Sequence, residues 1–295
     1  MSRKSVLGKQ KLQEKEEVQQ ENENKILIQS ARKLLLGVIN PYLASELAYH
    51  IARYSTLKVL LIDADGMNPR VASVLGMKDL INERVQSEYE TTSSFNMAMD
   101  YVSKNPSSPT LEIFQNIAIE HPKNKNLFVL TGNDDLSVYE AYSPTAFESI
   151  LDLSARGFDL VIITLPYNVY DSFFQISLKH TDFMVYGLKA YGDEIFNFNT
   201  MVRYLNDLGL SEMQKHKLIP FEYNDTQSKI GDIKVAVDNE YFGVISESSE
   251  RNNRKNEFLK TYCSSMSKKN IKEYHRLARV LGYKTQKRGL FGKGK

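Results

Sequence analysis

Cysteine occurs once in the 295 residues, at Cys263, which excludes an internal disulfide framework and a multi-cysteine metal site and fits a reducing compartment. Cys263 itself reads as a small apolar packing residue. No run approaches the roughly 18 consecutive apolar residues that a membrane-spanning helix needs. The opening Met1-Ser2-Arg3-Lys4 leads into a polar stretch, so no secretory signal is visible, and Ser2 in place of glycine removes the myristoylation pattern. Net charge is nearly absent too: 38 Lys and Arg against 36 Asp and Glu leave +2, so any attraction to nucleic acid or membrane must be local. The five histidines, His50, His121, His180, His216 and His275, show no zinc-binding spacing, and neither a G-x-S-x-G elbow nor a cysteine–histidine signature is present. Together these absences predict a cytoplasmic protein without a serine-elbow, cysteine–histidine or zinc site.

What is present is a chain of 42% hydrophobic and 25% charged residues, able to bury a large core. Residues Lys9 to Lys25 are almost wholly Lys, Glu, Gln and Asn, with only Leu12 and Val18 apolar. Such a stretch buries too little surface to offset its ordering entropy, so residues 1–28 read as a flexible polar arm, one whose good helix formers could fold against a partner. From Lys33 onward short apolar runs alternate with longer amphipathic stretches, the pattern of βαβ units around a buried parallel sheet. The runs predict strands over Leu34–Ile39, Val59–Ile62, Leu127–Leu130, Leu160–Ile163, Phe183–Tyr186, Lys217–Phe221 and Phe242–Ile245. Helices are predicted over Tyr42–Tyr54, Ala146–Ala155 and Ile195–Leu208, and a last one carries the stripe Ile271, Tyr274, His275, Ala278, Leu281. No interior linker divides this region, so residues 29–283 are expected to form one α/β domain, followed by a basic tail over 284–295.

The segment Lys58-Val-Leu-Leu-Ile-Asp63-Ala-Asp65-Gly-Met-Asn-Pro69, ending in Gly76, resembles the second strand and following loop of the ParA/MinD deviant-Walker ATPases. Gly157-Phe-Asp-Leu-Val-Ile-Ile-Thr164-Leu-Pro166 is similar to that family's Walker B strand. Leu127–Gly132, His180–Tyr186 and Tyr241–Ile245 with the final amphipathic helix follow in family order, so the resemblance covers about residues 30 to 283. It implies a three-layer α/β fold of P-loop NTPase type, a mostly parallel sheet flanked by helices, a homodimer, and ATP with Mg²⁺ at the carboxyl ends of the strands.

The phosphate loop departs from the family. Gly37-Val38-Ile39-Asn40-Pro41-Tyr42 falls where the family has Gly-x-Gly-Lys-[Ser/Thr]-[Ser/Thr], with Asn40 at the lysine and Pro41 at the magnesium-binding hydroxyl. A phosphate loop works because glycines let backbone N–H groups converge on the phosphates, while lysine neutralises charge. Pro41 donates no N–H and Asn40 is neutral. Losing the lysine alone, at about 1.5–3 kcal/mol for a charge-assisted hydrogen bond, weakens nucleotide binding roughly ten- to more than a hundredfold. Thr164 stands at the Walker B aspartate and cannot act as a carboxylate toward magnesium. The expectation is weak ATP/Mg²⁺ binding or none. Gly37, Asn40, Pro41, Tyr42, Asp63, Asp65 and Thr164 then form a degenerate nucleotide site, with no catalytic or metal residue assigned. Two readings stay open. Asn40-Pro41 is either a tight turn with Asn40 capping the helix or an unconventional nucleotide site, and Asp63 and Asp65 either remain of a ligand site or cap the loop before Pro69.

Arg251-Asn-Asn-Arg254-Lys255 reads as a solvated helix start, or else as a contact for phosphate or a partner. Beyond Gly282 the tail holds Lys284, Lys287, Arg288, Lys293 and Lys295, the apolar pair Leu290-Phe291 and no acid. Those charges contribute at most roughly 5 kcal/mol at an anionic leaflet, a dissociation constant on the order of 0.1 mM. Two tails on a dimer could hold by avidity, through Lys287, Arg288, Leu290 and Phe291. In its lost lysine and its retained Asp63-Ala-Asp65 strand end the chain resembles the family's TadZ/CpaE type, whose phosphate loops are degenerate, which implies a scaffold for a pilus or secretion assembly at the inner face of the membrane. Nonspecific DNA binding, as in partition proteins, and a genuine ATPase with altered ligands are the alternatives.

Overall fold

The computed structural model describes residues 33–77, 93–132, 142–237, 241–256 and 266–283. The expected arm over 1–28, Cys263, and the tail with Lys287, Arg288, Leu290 and Phe291 lie outside them. In chain order the elements are β1 (Leu34–Ile39), α1 (Pro41–Tyr54), β2 (Val59–Asp63), α2 (Val71–Val74), α3 (Ser94–Lys104), α4 (Leu111–Ile117), β3 (Ile119–His121), β4 (Asn124–Leu130) and α5 (Pro144–Gly157). Then follow β5 (Leu160–Thr164), α6 (Ser172–His180), β6 (Phe183–Leu188), α7 (Gly192–Asp207), a 3₁₀ turn (Met213–Lys215), β7 (His216–Tyr223), α8 (Ile230–Ala236), β8 (Ile245–Ser246), α9 (Ser249–Asn256) and α10 (Lys268–Val280).

The strands form one eight-stranded sheet in the order β3-β4-β2-β5-β1-β6-β7-β8. Every neighbouring pair is parallel except β3 with β4. β1 is the centre, in register with β5 from Leu34↔Leu160 to Val38↔Thr164 and with β6 from Leu36↔Phe183 to Ile39↔Tyr186.

Because strand side chains alternate faces, each apolar run feeds two cores at once. Leu35, Ile39, Leu60, Ile62, Val161 and Ile163 pack with α3, α5, α6 and α7. Leu34, Leu36, Val38, Leu61 and Ile162 pack with α1 and α10. Continuous apolar strands and helices on both faces are one fact seen twice, and the result is the expected three-layer α/β fold.

Three details differ from the sequence pattern. The edge hairpin β3–β4 was not foreseen, because Asn124, Lys125 and Asn126 break the apolar run and the edge strand is only Ile119–His121. β8 sits later than Phe242–Ile245; Tyr241 makes only an isolated bridge to Leu218. On α10, Ile271 and His275 lie half-buried at the margin, while Leu277 joins Tyr274, Ala278 and Leu281 inside. No helix among the described residues is long and apolar enough to cross a membrane.

Candidate functional site at the carboxyl edge of the sheet

β1 enters α1 through a single residue. Gly37, Val38 and Ile39, expected from the resemblance to form a loop, are strand residues paired with β6. Gly37 is held to glycine by packing, since a Cβ there would meet Met184 Sδ at 2.5 Å. All of the turning is left to Asn40, at φ 145° and ψ 109°, a region that costs a non-glycine residue about 1–3 kcal/mol.

Three hydrogen bonds hold Asn40 in that conformation. Its Oδ1 accepts from the N–H of Tyr42 and of Leu43, both at 3.1 Å, and its Nδ2 donates to the Gly187 carbonyl at 2.9 Å. The Ala44 N–H donates to the Asn40 carbonyl at 3.0 Å, and Pro41 has no N–H. A helix amino terminus attracts anions because its first N–H groups lack partners. Here the first four positions of α1 offer none. Tyr42 is half-buried beside this closed turn.

Asp63 ends β2 and is 2% exposed. Its Oδ2 accepts from the Val71 N–H at 2.9 Å, and its Oδ1 lies 2.8 Å from Thr164 Oγ1, which is also 3.1 Å from the Ile62 carbonyl. The Thr164 hydroxyl has one hydrogen to donate, shared between the Asp63 carboxyl and the Ile62 carbonyl. Burial pushes the Asp63 carboxyl up to about 7, with the charge of Asp65 adding to the rise and the bonds from Val71 and Thr164 opposing it. The wall is close: a Cβ on Gly132 would lie 2.6 Å from Pro69 Cβ and 2.9 Å from Asp63 Cγ. Asp63 and Thr164 thus form a sealed pair joining β2 to β5.

Asp65 is half-buried in the loop beyond, where its Oδ1 accepts from the Asn68 N–H at 3.1 Å. Burial raises its carboxyl above the usual range, bonds from Asn68 and Met67 pull it back, and the charge of Asp171 adds to the rise. Of the seven candidate positions, Asp63 and Thr164 touch each other, Asn40 touches Tyr42, and Asp65 stands nearest to solvent among the carboxylates. No group of three or more His, Cys, Asp or Glu among the described residues is placed to hold a metal ion.

Arg251 corrects the reading of its segment as solvated. It is 1% exposed, and its guanidinium grips Glu46, itself fully buried on α1, at 2.9 and 2.7 Å. Tyr274 Oη donates to Glu46 Oε2 at 2.8 Å, and Arg251 Nη1 donates to the Ser246 carbonyl at 3.2 Å. The guanidinium lies 4.5 Å from the Phe221 ring centroid. Burial opposes the charge of Arg251, but the hydrogen bonds and charge of Glu46 outweigh it and raise the guanidinium above its ordinary value. The visible signal was Glu46 itself, a carboxylate inside the apolar face Leu43-Ala44-Ser45-Glu46-Leu47-Ala48.

No protein-family model and no curated protein matches this sequence. Solved structures do match in shape. A ParA family ATPase from Chlorobium tepidum superposes with a TM-score of 0.66 at 10% identity, over 85% of this chain and 100% of that one. The chain has the ParA/MinD-type fold. The septum site-determining protein MinD of Pyrococcus horikoshii, solved with Mg-ADP, matches at a TM-score of 0.59 and 14% identity, over 83% and 94% of the two chains. A plasmid partition protein from Borrelia burgdorferi matches at 0.55 and 15%, over 84% and 97%. With this fold, the edge holding Asn40, Asp63 and Thr164 is where open α/β sheets place their ligands.

Proposed function

We propose that this chain works as a ParA/MinD-type positioning scaffold that binds nucleotide weakly or not at all and turns none over. The closed amino terminus of α1 carries this reading. With Pro41 lacking a donor and Tyr42, Leu43 and Ala44 already bonded to Asn40, a phosphate arriving there would find no free N–H in the first turn, and the position matched to the family's lysine is the neutral Asn40. The walled Asp63–Thr164 pair adds to it, because a magnesium ion needs an accessible carboxylate and Asp63 is buried with its carboxyl pushed up to about 7.

The proposed cargo is a membrane-associated pilus or secretion assembly, reached by a homodimer whose basic tails, with Lys287, Arg288, Leu290 and Phe291, rest on the inner face of the membrane. A fluorescent fusion of the full chain tests this: focal or peripheral signal that becomes diffuse when residues 284–295 are deleted is expected. Diffuse signal that the deletion leaves unchanged overturns the positioning role.

The likeness to a plasmid partition protein favours a second reading, nonspecific DNA binding. Retention of duplex DNA at low salt, falling steeply as salt rises, is its signature. The half-buried Asp65 leaves a third, an ATPase with altered ligands, in which Asp65 would face the metal.

A further inference from the structure

Glu273 is the one acidic residue of α10, and it is turned inward. Its Oε2 accepts from the Ser246 N–H at 2.9 Å and its Oε1 from the Ser246 hydroxyl at 2.6 Å. The opposite face is entirely cationic, with Lys268, Lys269, Lys272, Arg276 and Arg279 all exposed. At 100° per residue these five fall within about 100° of arc, along about 16 Å of helix. None of them is in an ion pair or side-chain hydrogen bond among the described residues.

Such a row opposes the helix that carries it. Lys268 with Lys272, and Lys272 with Arg276, are like charges at i,i+4, and Lys268 and Lys269 sit at the positive end of the helix dipole. An anionic occupant would relieve this. Lipid insertion fits poorly, because Tyr274, Leu277 and Ala278 of α10 are in the core and Ile271 and Val280 are already half-buried, which leaves the outer face to the cations.

The chain holds a complement to this row. Glu14-Lys15-Glu16-Glu17-Val18-Gln19-Gln20-Glu21-Asn22-Glu23 carries five glutamates against one lysine, a net charge of −4. As a helix it would be about 15 Å long, with Glu14, Glu17 and Glu21 at i, i+3 and i+7 on one side. Its route is short as well. Leu34, where β1 begins, and Leu281, Gly282 and Tyr283, where α10 ends, line one cleft of about 780 Å³ at the amino edge of the sheet. The ten residues 24–33 reach up to about 33 Å when extended, enough to bring the acidic segment from that cleft to the outer face of α10.

We propose that Glu14–Glu23 docks along the cation row of α10 in the same chain and covers it. The row holds no residue of the candidate nucleotide site, so this inference stands apart from the proposed function.

Zero-length carbodiimide cross-linking of the full chain, read by mass spectrometry, tests it. Intrachain links from the Glu14–Glu23 peptide to Lys268, Lys269 or Lys272 are expected. They should fade as salt rises from about 0.01 M to about 1 M, where the Debye length shrinks from roughly 30 Å to roughly 3 Å. Arg276→Glu with Arg279→Glu keeps every reactive lysine and should still lower the yield, and adding Glu17→Lys with Glu21→Lys should restore it. Absence of these links at low salt overturns the proposal, as does a yield unchanged by the arginine reversals. Links found only between chains, in a mixture of isotope-labelled and unlabelled protein, would assign the row to a second copy instead. If a short DNA duplex binds wild type as tightly as a variant with all five glutamates changed to glutamine, the row is not covered and the proposal falls.

Discussion

Asn40 does two jobs that most residues cannot combine. It turns the chain at a positive φ, and it caps three backbone groups. Asn40→Ala keeps the strained turn and loses every cap, so it should destabilise the protein by about 1–3 kcal/mol in denaturant unfolding. Asn40→Gly loses the caps but relieves the strain and should cost less. An alanine variant as stable as the glycine one would contradict this account of the turn. The sequence offered the turn as one of two readings, since Asn-Pro before an amphipathic run reads as cap and first turn. The positive φ was not visible, because it follows from β1 running straight to Ile39 and leaving one residue for the reversal.

Asp63 is the second residue whose environment decides its behaviour. Its folded value of about 7 lies above the ordinary 3.8 of a free aspartate, so the folded state holds a proton that the unfolded chain has released between those values. The stability from this site is therefore full below pH 4 and lost as pH rises through 7. Asp63→Asn imitates the protonated form and should flatten that fall, gaining about 2–4 kcal/mol over wild type at pH 8 relative to pH 4. Parallel pH–stability curves for the two proteins would show that Asp63 is ionised in the fold. No sequence pattern separates a buried aspartate of raised pKa from a magnesium ligand; the burial of Asp63, with Gly132 packed against it, is visible only in the fold.

At the scale of elements, α1 is tied to the last part of the chain by charge and by rings. Glu46 and Arg251 are 205 positions apart, which is why the basic run at Arg251 read as solvated when taken locally. Removing one partner of a fully buried pair leaves the other uncompensated, so Arg251→Ala should destabilise by about 3–5 kcal/mol, and Glu46→Leu with Arg251→Met should recover most of that. A double variant no better than the single one would mean that the geometry, not the lone charge, matters. A second tie is His50, buried on α1 with Nε2 3.3 Å from His275 Nδ1. Burial first, then the neighbouring His275, lowers His50 to about 3. A histidine held neutral loses stability as pH falls below about 6.5, where the unfolded chain takes up the proton. His50→Leu should lessen the acid destabilisation between pH 6 and pH 4, read by thermal unfolding. The legible elements were those with unbroken apolar runs, β1, β2, β5 and β6. The edges β3 and β8 were not, because short strands with one free side carry polar residues.

For the whole molecule, the ParA/MinD-type fold is built with ordinary strand and a side-chain cap where β1 passes into α1. Nothing in the sheet order requires a phosphate loop: β1 is central and buried along its whole length, and it runs straight to Ile39 before Asn40 turns the chain into α1. The fold was legible because it depends on many apolar positions at once. The site was only half legible, because substitutions show what chemistry is lost and not whether backbone donors have found other partners. Isothermal titration of the full chain with Mg-ATP tests the central claim most directly. The account predicts no heat of binding up to millimolar nucleotide, unchanged in Asp65→Ala. Saturable micromolar binding that Asp65→Ala abolishes would contradict it and make the carboxyl edge of the sheet a working nucleotide site.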